Sequence, residues 1–417
     1  YTEDPSYPGG KRLLASASLM QGAQEEEDTQ LLLAAQPAVK LTVYEEGFYR
    51  VARADLVDEG LSLDADPAKL QLYTGGVEQP IIVQGPWGGT VDADDVLEFY
   101  ATGVVTPWTE RRIYWLVEGS EAGARITLDD SDGGVGAAES FTSIEELKER
   151  TFYFTSLKNG DEENFFGAVV MEGAPADHLL NLPFPDFSTG EKALLEVAVQ
   201  GSTAVPHQVA ILLNDDKVGE VVFENRERGV AVVELDHASL LAGDNLITLE
   251  AEGGATDISL ADYVKITYKR TYTAADDTLF CSAEAGELLT LKGFTSPEIR
   301  VIDITDPTEV VEEAGEVAPD GGDYTITLTV PGAGERTLFA FTEGQIKGPL
   351  DIIYNYPSAW HQESDGYEVV IISHEEFLSH LTPLKEHREQ QGWEVTLVSA
   401  DDLYDERNFG HKTPFAI

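Results

Sequence analysis

The sequence predicts a mostly β protein: tandem β-sandwich or jelly-roll domains, followed by the opening βαβ unit of an α/β domain. Three observations predict it. Short runs of alternating apolar and polar residues, punctuated by Gly, Asn and Asp, recur between Val39 and Tyr354, the period-2 pattern of half-buried strands. Residues 367–373 then form a nearly continuous β-branched run, as in strands covered on both faces. Sustained helical spacing follows directly, in Phe377, Leu378, Leu381 and Leu384.

The elements can be justified in order. A chain of 417 residues suggests about three domains, each with its own core. Residues 1–38 are an acidic leader centred on Glu25-Glu26-Glu27-Asp28. Composition alone would read as disorder, but the stretch is expected to be ordered along another surface, with Leu31-Leu32-Leu33 as its anchor. Residues 39–150 form a first all-β domain. Runs 41–44 and 48–51 flank Glu45-Glu46-Gly47 and read as a hairpin; runs 70–73, 81–83, 97–100 and 113–116 continue the series. Residues 143–150 read as a short helix, with Ser143 as N-cap and Glu145-Glu146 in the first turn.

Residues 151–272 predict a jelly-roll-like sandwich. Strands 194–199 and 209–213 lead through Asn214-Asp215-Asp216-Lys217 into strand 218–223. The step at 240–249 is similar to one common in carbohydrate-binding sandwiches, and 263–268 closes the domain by near alternation. Residues 273–354 predict a small Ig-like sandwich, with strands at 287–291, 299–304, 324–330 and 337–341. Residues 355–417 are a linker and the incomplete start of the α/β domain. Strand 367–373 leads into helix 375–391, reset at Thr382-Pro383 and ended by Gly392; strand 393–398 follows, and the next helix is expected near Ile417. Two strands cannot bury both faces of a parallel sheet. The remainder of the same polypeptide, or a second chain, is therefore expected to complete it.

The run YEVVIISHEEFLSHLTPLKEHREQQGWEVTLVSADDLYDERNFGHKTPFAI, residues 367–417, resembles the opening of the caspase-like domain of gingipain-type cysteine peptidases. The shared pattern is strand, His, helix with an internal Pro, Gln391-Gly392, second strand, Asp402-Leu403-Tyr404-Asp405-Glu406 and Phe409-Gly410. Upstream, VKLTVYEEGFYRV (39–51), LEFYATGVVTPWTERRIYWLVEG (97–119), YVKITYKRTY (263–272) and SPEIRVIDITDP (296–307) resemble the non-catalytic N-terminal region of the same large secreted proteins. The resemblance implies a parent cysteine endopeptidase, secreted or at the cell surface, whose catalytic domain this chain supports. It assigns no catalytic residue here, because the family's His and Cys fall in later segments.

Composition narrows the alternatives. The 76 Asp and Glu against 27 Lys and Arg give a formal charge of −49. That excess disfavours nucleic acid and anionic membrane surfaces as partners and favours cations, basic partners and solubility in salt. No apolar run approaches the length of a membrane span. With one cysteine, no intrachain disulfide can form, and Cys281, after Leu279-Phe280, reads as a small core residue.

The remaining motifs are local. His374-Glu375 fails the zinc-helix spacing, since Leu378 stands four residues on and His380 and His387 share no metal-binding face with it. His374 reads better as a helix-starting residue, and His411 is not assigned as a base. Two acidic loops are calcium candidates: Asp92, Asp94 and Asp95, and Asp129, Asp130 and Asp132. Asp94 and Asp95 also suit a turn cap. Trp87, Trp108, Trp115, Tyr153, Phe165 and Phe166 are the aromatics available for a sugar platform, a use less common in β proteins than core packing. Two other function classes stand beside the peptidase reading: an acidic surface, filament or adhesion protein that assembles as a homo-oligomer, and a carbohydrate-binding module, which rests on sandwich architecture alone.

Overall fold

The computed structural model describes residues 17–130, 133–136, 139–158, 163–363 and 366–417. By internal contact the chain divides into two units: residues up to 127 with 306–310 and 346–417, and residues 128–305 with 311–345.

In the first unit, strand Ala38–Val43 is buried along its whole length. It has to be, because it is an inner strand with two faces to cover. It pairs antiparallel with Asp351–Asn355 on one side and Arg112–Glu118 on the other, in a five-stranded sheet completed by Leu70–Thr74 and Val77–Gln79. One face (Val39, Leu41, Val43) enters a core with Leu72, Phe99, Tyr114 and Leu116. That core is shared with a three-stranded sheet of Gly47–Ala52, Val96–Ala101 and Ile81–Gln84. Each fully buried Leu or Val contributes about 1.5–3 kcal/mol. The opposite face carries Ala38, Trp115 and Val117 against Leu33.

The expected hairpin at 41–51 is a correction. Both strands exist, but they belong to different sheets, and Gly47 at φ 155° carries the chain between them. Both hydrogen-bonding edges of Ala38–Val43 are taken by Asp351–Asn355 and Arg112–Glu118, and the adjacent strand is used to close the sandwich instead. In the leader, the expected anchor lies against the sheet through Leu33. Residues Ala17–Ala34 form helix α1, whose Leu33 is buried while Leu32 faces solvent. A short helix α2, Arg53–Asp58, follows the second strand.

The α/β segment belongs to this unit. Strands Val369–Ser373 and Val395–Ser399 pair in parallel, in register from Val369↔Val395 to Ser373↔Ser399. Between them, helix α3 runs without a break over Glu375–Gln390 with Pro383 inside it. No reset occurs at Thr382-Pro383: the carbonyl that Pro383 leaves without a donor belongs to Ser379, which is exposed to water. The next helix, α4, starts well before Ile417, at Ala400–Arg407, where Ser399 accepts the Asp401 amide and Asp401 and Asp402 occupy the first turn.

The second unit holds two sandwiches. The larger has one sheet of Val169–Met171, Ile258–Thr271, Lys192–Gly201 and Arg228–Asp236, and another of Ala176–Leu182, Gly243–Ala251, Pro206–Leu213 and Asp216–Glu224. Val197, Val199, Val209, Ile211, Leu249, Val264 and Ile266 fill the space between them. Asn214 and Asp215, at φ 52° and 73°, make the two-residue hairpin turn whose twist suits antiparallel strands. Residues 143–150 are not helical. Ser140–Leu147 is a strand laid antiparallel along Ile258–Thr271, with Ile144 opposite Thr267. An eight-residue ladder outweighs a local capping signal.

The smaller sandwich packs Thr278–Glu284, Glu335–Thr342, Ile299–Asp303, Val311–Glu313 and Thr127–Asp129 over Leu288–Phe294, Asp323–Thr329 and Glu316–Asp320. Cys281 is 3% exposed in its core.

Candidate functional site

The first unit gathers its polar chemistry where α4 meets the outer face of the five-stranded sheet. Lys40 projects from that face; its Nζ lies 2.7 Å from Asp405 Oδ2 and 5.2 Å from the centre of the Trp115 ring. Gln30 of α1 donates to the Asp405 carbonyl at 2.7 Å, and the Trp115 indole N–H donates to the Phe409 carbonyl at 3.1 Å. Asp405 is buried. Burial pushes its carboxyl up to about 6, against the pull of Lys40.

The adjacent Glu406 is buried as well but is satisfied differently. It accepts from Ser358 Oγ at 2.7 Å, the Trp360 amide at 2.8 Å and the His361 amide at 2.9 Å, and His361 Nδ1 lies 2.8 Å away. Burial alone would raise its carboxyl; these hydrogen bonds outweigh burial and hold it below its ordinary value. Trp360 Nε1 donates to Asp402 at 2.8 Å. The motif at residues 402–406 thus fastens α4 to the β module. Its spacing is visible in the sequence, but its partners (Lys40, Ser358, Trp360 and His361) cannot be inferred from it.

The other side of the strand pair is open. Val370 is 51% exposed, Phe377 58% and Trp393 47%, with Ile372 and Leu384 also exposed, and α3 buries no residue fully. At the carboxyl edge, where open α/β folds place their sites, His374 and Ser399 both act as N-caps: His374 Nδ1 accepts the Glu376 amide at 3.3 Å. His411 is partly buried beside Arg112, and burial together with that guanidinium pushes its imidazole down to about 4. It is therefore neutral at pH 7.

The acidic loops differ in use. Asp95 is fully buried. Its carboxylate accepts from Arg53 at 2.8 Å, the Trp87 amide at 3.0 Å and the Asp92 amide at 3.1 Å. Burial would raise it, but these bonds hold it below its ordinary value. Arg53 adds hydrogen bonds to the carbonyls of Leu63, Gly88 and Thr90, so Asp95 closes this loop around an internal cation. Asp92 and Asp94 face solvent. Asp129 ends a strand, Asp130 is exposed, and Asp132 lies outside the described residues. Among the described residues, no three His, Cys, Asp or Glu groups converge as metal ligands. Trp87 and Trp115 are core residues, as is Phe166, whereas Trp108 and Tyr153 are exposed.

Residues 362–417 match the family model for peptidase family C25. The dimeric latent PorU of Porphyromonas gingivalis has a similar structure at 14% identity and a TM-score of 0.65, covering 92% of this chain and 39% of that one. This chain therefore spans about two-fifths of the length of PorU in that structure. Weaker likenesses include a carbohydrate-binding module, CBM36, in complex with calcium and xylotriose (13% identity, TM-score 0.22, 29% of this chain and 98% of that one). Another is a family 35 carbohydrate-binding module from Clostridium thermocellum (16%, 0.19, 30% and 90%). Both lie below the level at which a shared fold is established. A search of curated proteins by sequence finds no match. No helix among the described residues is long and apolar enough to cross a membrane. The chain thus combines a segment at residues 362–417 that matches peptidase family C25 with an architecture similar to that of PorU.

Proposed function

We propose that this chain is the N-terminal, non-catalytic portion of a secreted gingipain-like cysteine endopeptidase, and that it supports the peptidase's caspase-like domain. The observation that carries this reading is the asymmetry of the family-matching segment. Its α4 is held to the sheet through Lys40–Asp405 and to the linker through the Glu406 network, while Val370, Ile372, Phe377 and Trp393 stay exposed. An uncovered parallel pair of this apolarity suits a sheet continued by further polypeptide.

Peptide cleavage in such enzymes needs a thiolate nucleophile, a His base and backbone N–H groups for the oxyanion. Cys281 does not supply the first: burial pushes its thiol up to about 12. The PorU structure is described as dimeric and latent; a homo-oligomer at the cell surface is the corresponding proposal for this parent protein. The test is peptidase activity of the parent against a peptide substrate. Cys281→Ser should leave activity unchanged. Glu406→Gln should reduce the yield of folded, active enzyme severalfold. Loss of activity in a normally folded Cys281→Ser variant would make this thiol the nucleophile and end the reading.

A further inference from the structure

In the smaller sandwich, three acidic residues come from three neighbouring strands. Ile299–Asp303, Val311–Glu313 and Thr127–Asp129 are consecutive in one sheet, and the Ala314 amide donates to the Asp129 carbonyl at 2.8 Å. That bond sets Asp129 alongside Glu313. Asp303 is 2% exposed and Glu313 5%. Asp303 is accounted for: its Oδ2 accepts from Arg336 Nε at 2.7 Å, and its Oδ1 accepts from the Thr305 amide at 2.9 Å.

Glu313 is different. Its Oε1 is enclosed and has no hydrogen-bond donor. Asp129 and Asp303 repel its charge and Arg336 attracts it, and Arg336 is already bound to Asp303. Burial and the two carboxylates push the Glu313 carboxyl up to about 8. An enclosed, unpaired carboxylate oxygen is costly, and a positive species beside it removes that cost.

We propose that Glu313 and Asp129 form a binding site for a hard divalent cation of the calcium class. The donors are carboxylate oxygens, and neither His nor Cys is among the charged neighbours, which matches calcium rather than zinc. Among the described residues no three His, Cys, Asp or Glu groups converge as ligands, so water and main-chain carbonyls complete the coordination. Such a site belongs in the weak range of extracellular modules, a Kd of roughly 0.1–1 mM. Of the two acidic loops legible in the sequence, the one at Asp92 to Asp95 is spent on Arg53. The one at Asp129 draws its second ligand from the strand Val311–Glu313, which lies beside it in the sheet.

The test uses the full chain, with calcium chloride titrated calorimetrically and in melting curves at fixed ionic strength. One binding event is expected, together with a melting midpoint that rises with calcium beyond the rise with sodium at equal ionic strength. Glu313→Gln keeps the shape and removes the charge, so it should fold normally, lose the event and melt independently of calcium. Asp129→Asn should behave likewise, and Asp94→Asn should bind as the unaltered chain does. Absence of a calcium event in the unaltered protein would leave the proton as the sole occupant of Glu313 and overturn the proposal. A calcium event that survives in Glu313→Gln or in Asp129→Asn would also overturn it.

Discussion

Lys40 and Asp405 show how much one residue pair carries. The folded-state carboxyl at about 6 lies above its ordinary 3.8, so folding favours its protonated form. On this account stability is greatest below pH 4, falls as pH rises from about 4 to about 6, and is level above that. A shift of about two units corresponds to roughly 3 kcal/mol. Lys40 limits this penalty. Lys40→Met should cost about 3–5 kcal/mol at pH 7, because it leaves a buried carboxylate without its cation. The cost should shrink at pH 5, where Asp405 takes up a proton instead. Urea unfolding followed by tryptophan fluorescence at both pH values checks this; an equal loss at pH 5 and pH 7 would refute the ion-pair account. The residue scale is also where the sequence is least readable. His374 as a helix cap and Cys281 as a core thiol follow from immediate neighbours, but nothing near Asp405 in sequence announces Lys40, and nothing near Asp129 announces Glu313.

Among the elements, local signals succeed where one element answers only to itself. Asn214-Asp215 makes its turn, and Ser399 starts α4, because each motif satisfies its own backbone. They fail where a neighbour offers more hydrogen bonds, as at residues 143–150, where pairing with Ile258–Thr271 overrides a helix start. Helix α3 tolerates Pro383 because the affected turn faces water. Restoring the missing N–H should therefore stabilise it. Pro383→Ala is expected to slow amide hydrogen exchange in the following turn by tenfold or more, since an internal proline costs about 3 kcal/mol and 1.4 kcal/mol is a factor of ten. Unchanged exchange would mean that α3 opens by a route that does not involve this turn.

At the scale of the molecule, two surface properties dominate: the charge of −49 and the open apolar side of the strand pair. Self-repulsion should make the chain less stable at low ionic strength, with the melting midpoint rising as sodium chloride approaches 0.1 M, where the Debye length falls to about 10 Å. A midpoint flat from 0.01 to 0.2 M would show that the excess carboxylates are already neutralised locally. Val370→Thr with Ile372→Thr should reduce binding of a hydrophobic dye and self-association of the isolated chain, with little change in its melting midpoint, because both side chains already face solvent. In the parent peptidase the same pair should lower stability, because there the proposal places them under further polypeptide.

The sequence by itself determined the class of most segments, residues 143–150 excepted. Period-2 alternation specified sandwich strands, the unbroken β-branched run specified a parallel strand pair, and the order of short motifs at residues 367–417 pointed to the peptidase family whose model matches that segment. Those features are local, and each is set by a residue's immediate neighbours along the chain. Only the tertiary structure decided which strands pair: Ala38–Val43 takes Asp351–Asn355 as a partner rather than the strand a short turn away. It also decided that residues Ala17–Ala34 are helical and that the motif at residues 402–406 is an anchor. The physical reason is common to all three. Burying both faces of a strand, or neutralising a buried charge, requires groups brought from distant parts of the chain, and a sequence pattern states the need for such a partner without naming it.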